Sequence, residues 1–187
     1  MRAKSRAPRR IVLGTAGAAG LFALAACQEE TSDVIVFDSE ASCEAAEGVD
    51  AAECEAAYEQ ALAEHRETAP RYDAQAVCEE QHGPGACVAE EAPGGGSIFL
   101  PLMTGFLLGQ LLGGGMRSRP LVGAGRGGFA TTDGSVRTSS LSGRGAVAGS
   151  ALNARPASTR GAAPLTRSAV ARTGGFGAAR TGGGFGG

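Results

Sequence analysis

Four of the five cysteines lie in one acidic stretch and have the spacing of a disulfide-bonded module. Cys43, Cys54, Cys78 and Cys87 are separated in turn by 10, 23 and 8 residues. Four-cysteine zinc sites use close pairs separated by about two to four residues, and this stretch has none. A segment of roughly 60 residues buries too small a core to be stable without cross-links. We therefore predict two disulfides and no metal at these positions.

An internal repeat suggests how these cysteines pair. Phe37-Asp38 precedes Cys43 at the same offset at which Tyr72-Asp73 precedes Cys78, and a further cysteine closes each unit. Four cysteines allow three pairings. The repeat favours one bridge within each unit, Cys43–Cys54 and Cys78–Cys87, while the crossed pairings remain open.

The fifth cysteine, Cys27, ends an apolar N-terminal segment that follows a basic one. The basic residues are Arg2, Lys4, Arg6, Arg9 and Arg10, and the apolar region is Ile11 to Ala23. Leu24-Ala25-Ala26-Cys27 then resembles a lipobox, in which the cysteine receives a diacylglyceryl group and becomes the first residue after cleavage. We expect residues 1–26 to be a signal peptide, and Cys27 to carry palmitate-like acyl chains.

The export route and the final membrane are separate questions. Arg9-Arg10 resembles a weak twin-arginine signal, so Sec and twin-arginine export both remain open. Ile11 to Ala26 is 16 residues, short of the ~20 that a transmembrane anchor needs. Gln28 and Glu29 are not the aspartate that retains such proteins in the inner membrane. The prediction is therefore a lipid anchor in the outer membrane, facing the periplasm.

Charge divides the chain into two halves. Residues 28–92 contain 18 acids and two arginines, whereas residues 93–187 contain ten arginines and one acid, Asp133. Such asymmetry is typical of segments with electrostatic partners. The candidates for the basic half are lipid headgroups, anionic envelope polymers and the chain's own acidic region, and an inert linker is the alternative. Nucleic acid is not expected behind a signal peptide.

Helix signals dominate the acidic half, residues 27–92. Asp38 and Asp73 are predicted N-caps, and Asp50-Ala51-Ala52-Glu53 resembles a capping box that opens a helix reaching about Glu67. Pro70 ends that helix. The predicted fold class is mainly α: a small disulfide-bonded helical domain, an apolar glycine-spaced helix and a long disordered tail.

The apolar segment, residues 97–116, contains no charged residue. Gly105, Gly109 and Gly113 recur at every fourth position, which indicates a helix with a close-packing glycine face. Pro101 to Met116 would span ~24 Å against a ~30 Å hydrocarbon core. Such a helix is suited to enter one leaflet, to self-associate or to pack as a buried core helix.

The basic segment, residues 117–187, is rich in glycine, alanine, serine, threonine and arginine. Gly-Gly-Phe elements recur in it, and no hydrophobic periodicity persists. This composition predicts disorder.

No enzyme motif is present. The sequence has no G-x-S-x-G elbow, P-loop or H-E-x2-H, and only two histidines. We expect His65 and His82 to have packing or surface roles. Metal binding by these histidines beside Glu79 and Glu80 is the minor alternative. We predict no catalytic residue, no metal and no cofactor.

One family resemblance emerges from the acidic half and the apolar segment. The motifs are Cys54-x3-Tyr58-x2-Ala61-Leu62-x-Glu64, then Thr68-Ala69-Pro70-Arg71-Tyr72-x5-Cys78-x4-Gly83-x3-Cys87, and later Pro101-Leu102-Met103. They resemble the YgiB family of Gram-negative lipoproteins, whose function is unknown. The resemblance implies an envelope lipoprotein and carries over no catalytic residue. We predict a non-catalytic lipoprotein that acts as a structural or interaction module, with self-association open. The alternative is a self-assembling, membrane-perturbing protein that acts through the glycine-spaced helix.

Overall fold

The computed structural model describes residues 30–176 except Pro93, Leu112, Gly113 and Arg126. Strand β1 (Thr31–Phe37) is followed by helices α1 (Glu40–Glu44), α2 (Ala51–Thr68) and α3 (Gln75–His82). Strands β2 (Cys87–Glu91), β3 (Ser97–Pro101), β4 (Met103–Gln110), β5 (Met116–Gly123), β6 (Phe129–Thr131), β7 (Arg137–Thr138) and β8 (Gly143–Ala148) come next. Helices α4 (Gly149–Leu152) and α5 (Arg167–Thr173) end the described chain.

A curled six-stranded antiparallel sheet organises the fold, in the order β7-β6-β5-β4-β1-β8. A separate hairpin pairs β2 with β3. The mainly α prediction is wrong, because strands outweigh helices in this mixed fold. The helices of the acidic half pack against a sheet that the basic half largely builds.

The apolar segment forms β3 and β4, not the predicted helix. Strand β4 is an inner strand between β1 and β5, and apolar cores cover both of its faces. Leu107 joins one core with Val34 and Leu121, while Phe106 and Leu108 join the other. A strand buried on both faces has no polar alternation, so it resembles an apolar helix in sequence.

The glycines of β4 allow close approach to the neighbouring strand. A Cβ at Gly109 would lie 2.6 Å from Val34 Cγ1, and one at Gly105 would lie 2.4 Å from the Phe37 carbonyl oxygen. Gly113, the third glycine of the predicted helix face, lies outside the described residues. Within the described part of the chain, no helix has the length and apolarity to cross a membrane. The glycine-spaced membrane helix and the function assigned to it are therefore abandoned.

Two local signals place the first helices. Ser39 caps α1 with a reciprocal capping box to Ser42, so the predicted Asp38 cap is one residue early. Asp50 caps α2 as predicted, although its carboxylate accepts from the Ala52 N–H rather than from that of Glu53. Helix α2 ends at Thr68, two residues before Pro70.

The second disulfide unit is built differently from the first. Ala74, rather than the predicted Asp73, is the N-cap residue of α3, and it makes no side-chain capping bond. Gly83 ends α3 with φ 112°, a conformation that favours glycine. Tyr72, Val77 and the two sulfur-bearing residues of this unit form a small core of their own, closed by Val170 of α5.

The basic segment is ordered up to residue 176, contrary to the prediction of a disordered tail. It supplies strands β5 to β8 and helices α4 and α5. Leu121, Val136, Val147 and Leu152 from this segment are buried in the core that faces β1. The few large apolar residues of the basic segment are therefore enough to order it, since most of them point to the same core. Residues 177–187 lie outside the described part.

Candidate functional site

Strand β5 carries a buried ionic cluster at its start. Arg117 and Arg119 are two residues apart, so both side chains leave the same face of the strand. Glu64 of α2 binds both: its Oε2 is 2.7 Å from Arg117 Nη2, and its Oε1 is 2.8 Å from Arg119 Nε. The Arg119 side chain is 0% exposed and that of Glu64 is 10% exposed. The Glu64 carboxylate thus partly neutralises the charges of both arginines at a site that is shielded from water.

Arg119 also contacts Asp133, the one acidic residue of the basic half. Its Nη2 lies 3.1 Å from Asp133 Oδ2, a charge contact without hydrogen-bond geometry. Asp133 accepts hydrogen bonds from Thr131 Oγ1 at 2.6 Å and Ser135 Oγ at 2.8 Å. Burial would raise the pKa of Asp133, but the Thr131 hydrogen bond and the Arg119 charge outweigh it, and the pKa lies below its usual value. We define the ionic cluster as Glu64, Arg117, Arg119 and Asp133.

A neutral cluster lies at the other end of β5. The two nitrogens of His82 contact the Gly123 carbonyl oxygen, 2.6 Å from Nδ1, and the Tyr72 hydroxyl, 2.8 Å from Nε2. A carbonyl oxygen only accepts, so Nδ1 carries the proton and Nε2 accepts from Tyr72. We define the neutral cluster as Tyr72, His82 and Gly123. Tyr72 thus donates to His82 and His82 donates to Gly123, so both ring nitrogens of His82 are hydrogen-bonded.

Backbone contact explains why residue 123 is glycine. A Cβ at Gly123 would lie 2.2 Å from the His82 carbonyl oxygen. Glycine therefore lets the end of α3 rest directly on β5, which places the His82 ring over the strand.

The Gly-Gly-Phe element at residues 174–176 covers this neutral cluster. Gly174 ends α5 in the left-handed conformation, with φ 81°. The Phe176 N–H donates to Gln81 Oε1 at 2.8 Å, and the Phe176 ring centroid lies 4.4 Å from that of His82. Burial lowers the pKa of His82 to about 4 and raises that of Tyr72 above its usual value. Both side chains are buried, with Tyr72 1% and His82 4% exposed.

Two open cavities flank the same element. One of about 540 Å³ includes Gln81 and the Glu80–Arg167 ion pair. The other, of about 570 Å³, includes Tyr72 and Asp133. Val170, Gly175 and Phe176 line both, and every ionisable lining side chain named here already has a partner within the chain.

Both predicted disulfides are confirmed, with the pairing that the repeat favoured. Cys43–Cys54 has a Cα–Cα distance of 5.7 Å and Cys78–Cys87 one of 6.3 Å. All four cysteines are buried. Cys27 lies outside the described residues.

Neither histidine is placed as a metal ligand. His65 Nε2 donates to the Pro101 carbonyl oxygen at 2.9 Å, and burial lowers the pKa of His65. His82 is fully used in the neutral cluster. Over residues 30–176, apart from the four gaps, no group of three His, Cys, Asp or Glu side chains could hold a metal ion.

Ion pairs join the two oppositely charged halves. Besides the ionic cluster, Glu67 pairs with Arg160 at 2.8 Å and Glu80 pairs with Arg167. The chain's own acidic region is therefore a partner of the basic segment, as one of the sequence hypotheses held. Sequence reasoning missed the ionic cluster itself. The available signal was Asp133, the lone acid among ten arginines.

Comparison with known proteins agrees with these motifs. Residues 31–186 match the model of a family described as a protein of unknown function, DUF1190. A UPF0441 protein of Erwinia tasmaniensis is 30% identical over 187 residues, covering 93% of this chain and 83% of the relative. UPF0441 proteins of two Klebsiella pneumoniae strains are 33% identical over 131 residues, or 63% of this chain.

The chain spans 59% of the length of the Klebsiella relatives that it matches. No solved structure matches. The family match covers almost the whole described fold, including both disulfide units and both clusters on β5. The chain therefore belongs to the DUF1190 family of uncharacterised proteins, in agreement with the YgiB-like resemblance of its motifs.

Proposed function

We propose that this protein is a non-catalytic lipoprotein of the cell envelope, tethered through Cys27 and folded on the periplasmic side of the outer membrane. The observation that carries the proposal is the state of the cysteines. Four of the five are joined in two buried disulfides. This leaves Cys27, which ends the apolar N-terminal segment, as the one without a disulfide role.

The disulfides support an oxidising compartment. Such bonds form and persist in the periplasm and outside cells, and are rare in the cytosol. Each one closes a short loop, of sequence separation 11 and 9. Closing loops of this size stabilises a fold by about 3 kcal/mol each in the chain-entropy model. An oxidising compartment would therefore permit the two disulfides that stabilise this fold.

The geometry of the polar residues supports a non-catalytic role. Tyr72 and His82 are closed off from solvent, and the carboxylates of the ionic cluster are bound to arginines. A general base or nucleophile needs access to its substrate. We infer that these groups hold helices onto the sheet rather than perform chemistry.

Exposed arginines support an interaction role. Arg155 and Arg172 are exposed and make no ion pair with any described residue. Guanidinium groups bind phosphate and carboxylate in a bidentate manner. Lipid headgroups or anionic polymers of the envelope are the proposed partners of these residues, and nucleic acid is not.

Fractionation of three full-length proteins tests the anchor: the wild type, Cys27→Ala and Gln28→Asp. The wild type is expected in the outer membrane, with a diacylglyceryl mass on its N-terminal peptide. Cys27→Ala should lose that mass and the tether. Gln28→Asp should keep the mass and move to the inner membrane, because it changes only the sorting residue.

Two results would contradict the proposal. An unmodified Cys27 in the mature wild-type protein removes the tether. Equal membrane retention of wild type and Cys27→Ala, both unacylated, would show that another segment attaches the chain.

A further inference from the structure

The two edges of the six-stranded sheet are unequal. Strand β7, at one edge, has two residues, whereas β8, at the other, has six. Proteins protect long edges with proline, charged side chains such as lysine, bulges or covering elements, because unpaired N–H and C=O groups recruit other strands. Strand β8 (Gly-Arg-Gly-Ala-Val-Ala) contains one charged residue, Arg144, and no proline or lysine, and its register with β1 runs without a bulge.

The register reveals which β8 groups face outward. Gly149 N donates to the Glu30 carbonyl oxygen at 2.7 Å, and these residues extend the β1–β8 ladder by one pair beyond Thr31 and Ala148. In antiparallel strands, hydrogen-bonded and non-hydrogen-bonded pairs alternate. Val147, Gly145 and Gly143 therefore bond to β1. Ala146 and Arg144 direct their N–H and C=O groups to the free edge. The Ala148 N–H does the same, whereas the Ala148 carbonyl, at the N-cap of α4, accepts the first hydrogen bond of that helix.

No described residue takes up the outward groups of Arg144 and Ala146. The backbone hydrogen bonds outside the ladders include neither residue. The side chains of β8 are also small, apart from Arg144 and the inward Val147, which is 2% exposed. Among the described residues, the outward backbone groups of Arg144 and Ala146 are therefore available to a neighbouring strand.

We propose that β8 is a self-association edge, at which two copies of this chain join their sheets through an antiparallel β8–β8 pairing. A two-fold axis at Ala146 sets this residue against its mate and sets Arg144 against Ala148 of the second copy. The outward groups of Ala146 and the outward carbonyl of Arg144 are then hydrogen-bonded in a closed, isologous contact. Short β7 offers no comparable edge, so the assembly stops at two copies.

Charge favours a second copy over an unrelated strand. Asp33 is the β1 partner of Ala146, so its side chain lies on the same sheet face as that of Arg144. Both side chains are exposed, and neither forms an ion pair with a described residue. Two strand spacings of ~4.8 Å separate β1 from the β8 strand of the second copy, and the long Arg144 side chain of each copy can span them toward Asp33 of the other. The contact is complementary twice because the symmetry repeats it.

Site-directed cross-linking tests the register directly. The full chain carrying Cys27→Ala keeps its native disulfides, so a cysteine introduced by Ala146→Cys is its one free thiol. The Cα atoms of the two symmetry-related residues would be ~5.5 Å apart, within disulfide range. Ala148→Cys is the matched control on the same edge and face, and its mates would be ~13 Å apart. Mild oxidation should yield covalent dimers with the first variant and few with the second.

Sedimentation equilibrium supplies the second measurement. The full chain carrying Cys27→Ala should show a monomer–dimer equilibrium, and adding Ala146→Pro should weaken the dimer by about tenfold or more. Proline is tolerated where the N–H faces the free edge, so circular dichroism should remain unchanged. Ala146→Val, which keeps the N–H, should dimerise like the parent.

The proposal is overturned by any of three results. These are a parent protein that stays monomeric at high concentration, dimerisation that folded Ala146→Pro leaves unchanged, and equal cross-linking of the two cysteine variants. The lipid anchor is absent from every protein compared, so none of these outcomes depends on the proposed function.

Discussion

The two ends of strand β5 hold helices by opposite means. At the start of the strand, Arg117 and Arg119 bind Glu64 of α2 through full charges. At its end, Gly123 accepts a hydrogen bond from neutral His82 of α3. Buried charges need every partner, whereas a buried neutral pair needs only the correct protonation state. The ionic end is therefore sensitive to mutation, and the neutral end is sensitive to acid.

The largest expected effect comes from removing the shared carboxylate. Glu64→Ala leaves Arg119 buried with only Asp133 near its charge, and we expect a loss of about 3–5 kcal/mol in the free energy of unfolding. Glu67→Ala is the matched control on the same helix, since its pair with Arg160 is half-exposed and contributes ~1 kcal/mol or less. Urea denaturation of both variants, with disulfides intact, measures the difference. Similar losses in the two variants would mean that burial of the ionic cluster is not what matters.

Acid should act on the neutral end next. His82 has a pKa of about 4 in the fold and an ordinary value of about 6.5 when unfolded. The unfolded chain therefore binds a proton between these values and the folded one does not. Stability is complete above pH 6.5 and falls by about 3 kcal/mol as the pH drops to 4.

Asp133 of the ionic cluster should contribute little in that window, because its pKa is already below its usual value of 3.8. In His82→Gln, the slope of unfolding free energy between pH 6.5 and 4 should be clearly smaller than in the wild type. Part of the slope should persist, since burial also lowers the pKa of His65. Parallel pH profiles for the two proteins would remove His82 as the acid-sensitive group.

Loss of the Tyr72 hydroxyl should have a smaller effect. Tyr72→Phe leaves His82 Nε2 buried without its donor, which costs about 1–3 kcal/mol. Tyr58→Phe is the matched control, because the Tyr58 ring packs on Phe106 and its hydroxyl makes no hydrogen bond with a described residue. Thermal unfolding should separate the two variants by several degrees. A control as unstable as Tyr72→Phe would refute a specific role for this hydrogen bond.

Exposed pairs should matter least. Arg167→Ala removes the contact with Glu80 on the surface of α3, and we expect a change of ~1 kcal/mol or less that vanishes in about 1 M salt. Denaturation at low and high salt measures it. A large loss that is the same at low and high salt would contradict this expectation, because the contribution of an exposed ion pair is screened by salt.

Local patterns in the sequence predicted local features well. Asp50 as a cap and both disulfides were readable because each depends on residues close in the chain. The glycines of β4 misled because four-residue spacing keeps side chains on one face of a helix and also on one face of a strand. Only the pairing of β4 with β1 distinguishes the two, and that pairing is not local.

The ionic cluster could not be predicted for a related reason. Arginine counts as a solvated residue in any compositional estimate, so residues 117–119 increased the predicted disorder of the basic half. Arg119 is nevertheless 0% exposed, because Glu64 and Asp133 arrive from distant parts of the chain. A buried charge is stable only where the fold places an opposite charge beside it, and the sequence does not show which distant residues the fold brings together.

The pairing of Thr31 with Ala148 also sets the order in which this protein can assemble. A chain that emerges N-terminus first exposes β1 early, yet its outer neighbour β8 arrives more than one hundred residues later. Contacts so distant along the chain form slowly, while the two disulfide loops can close locally. Folding is therefore expected to begin at the cysteine units and to finish only when β8 docks, which leaves one edge of β1 unpaired in the interval.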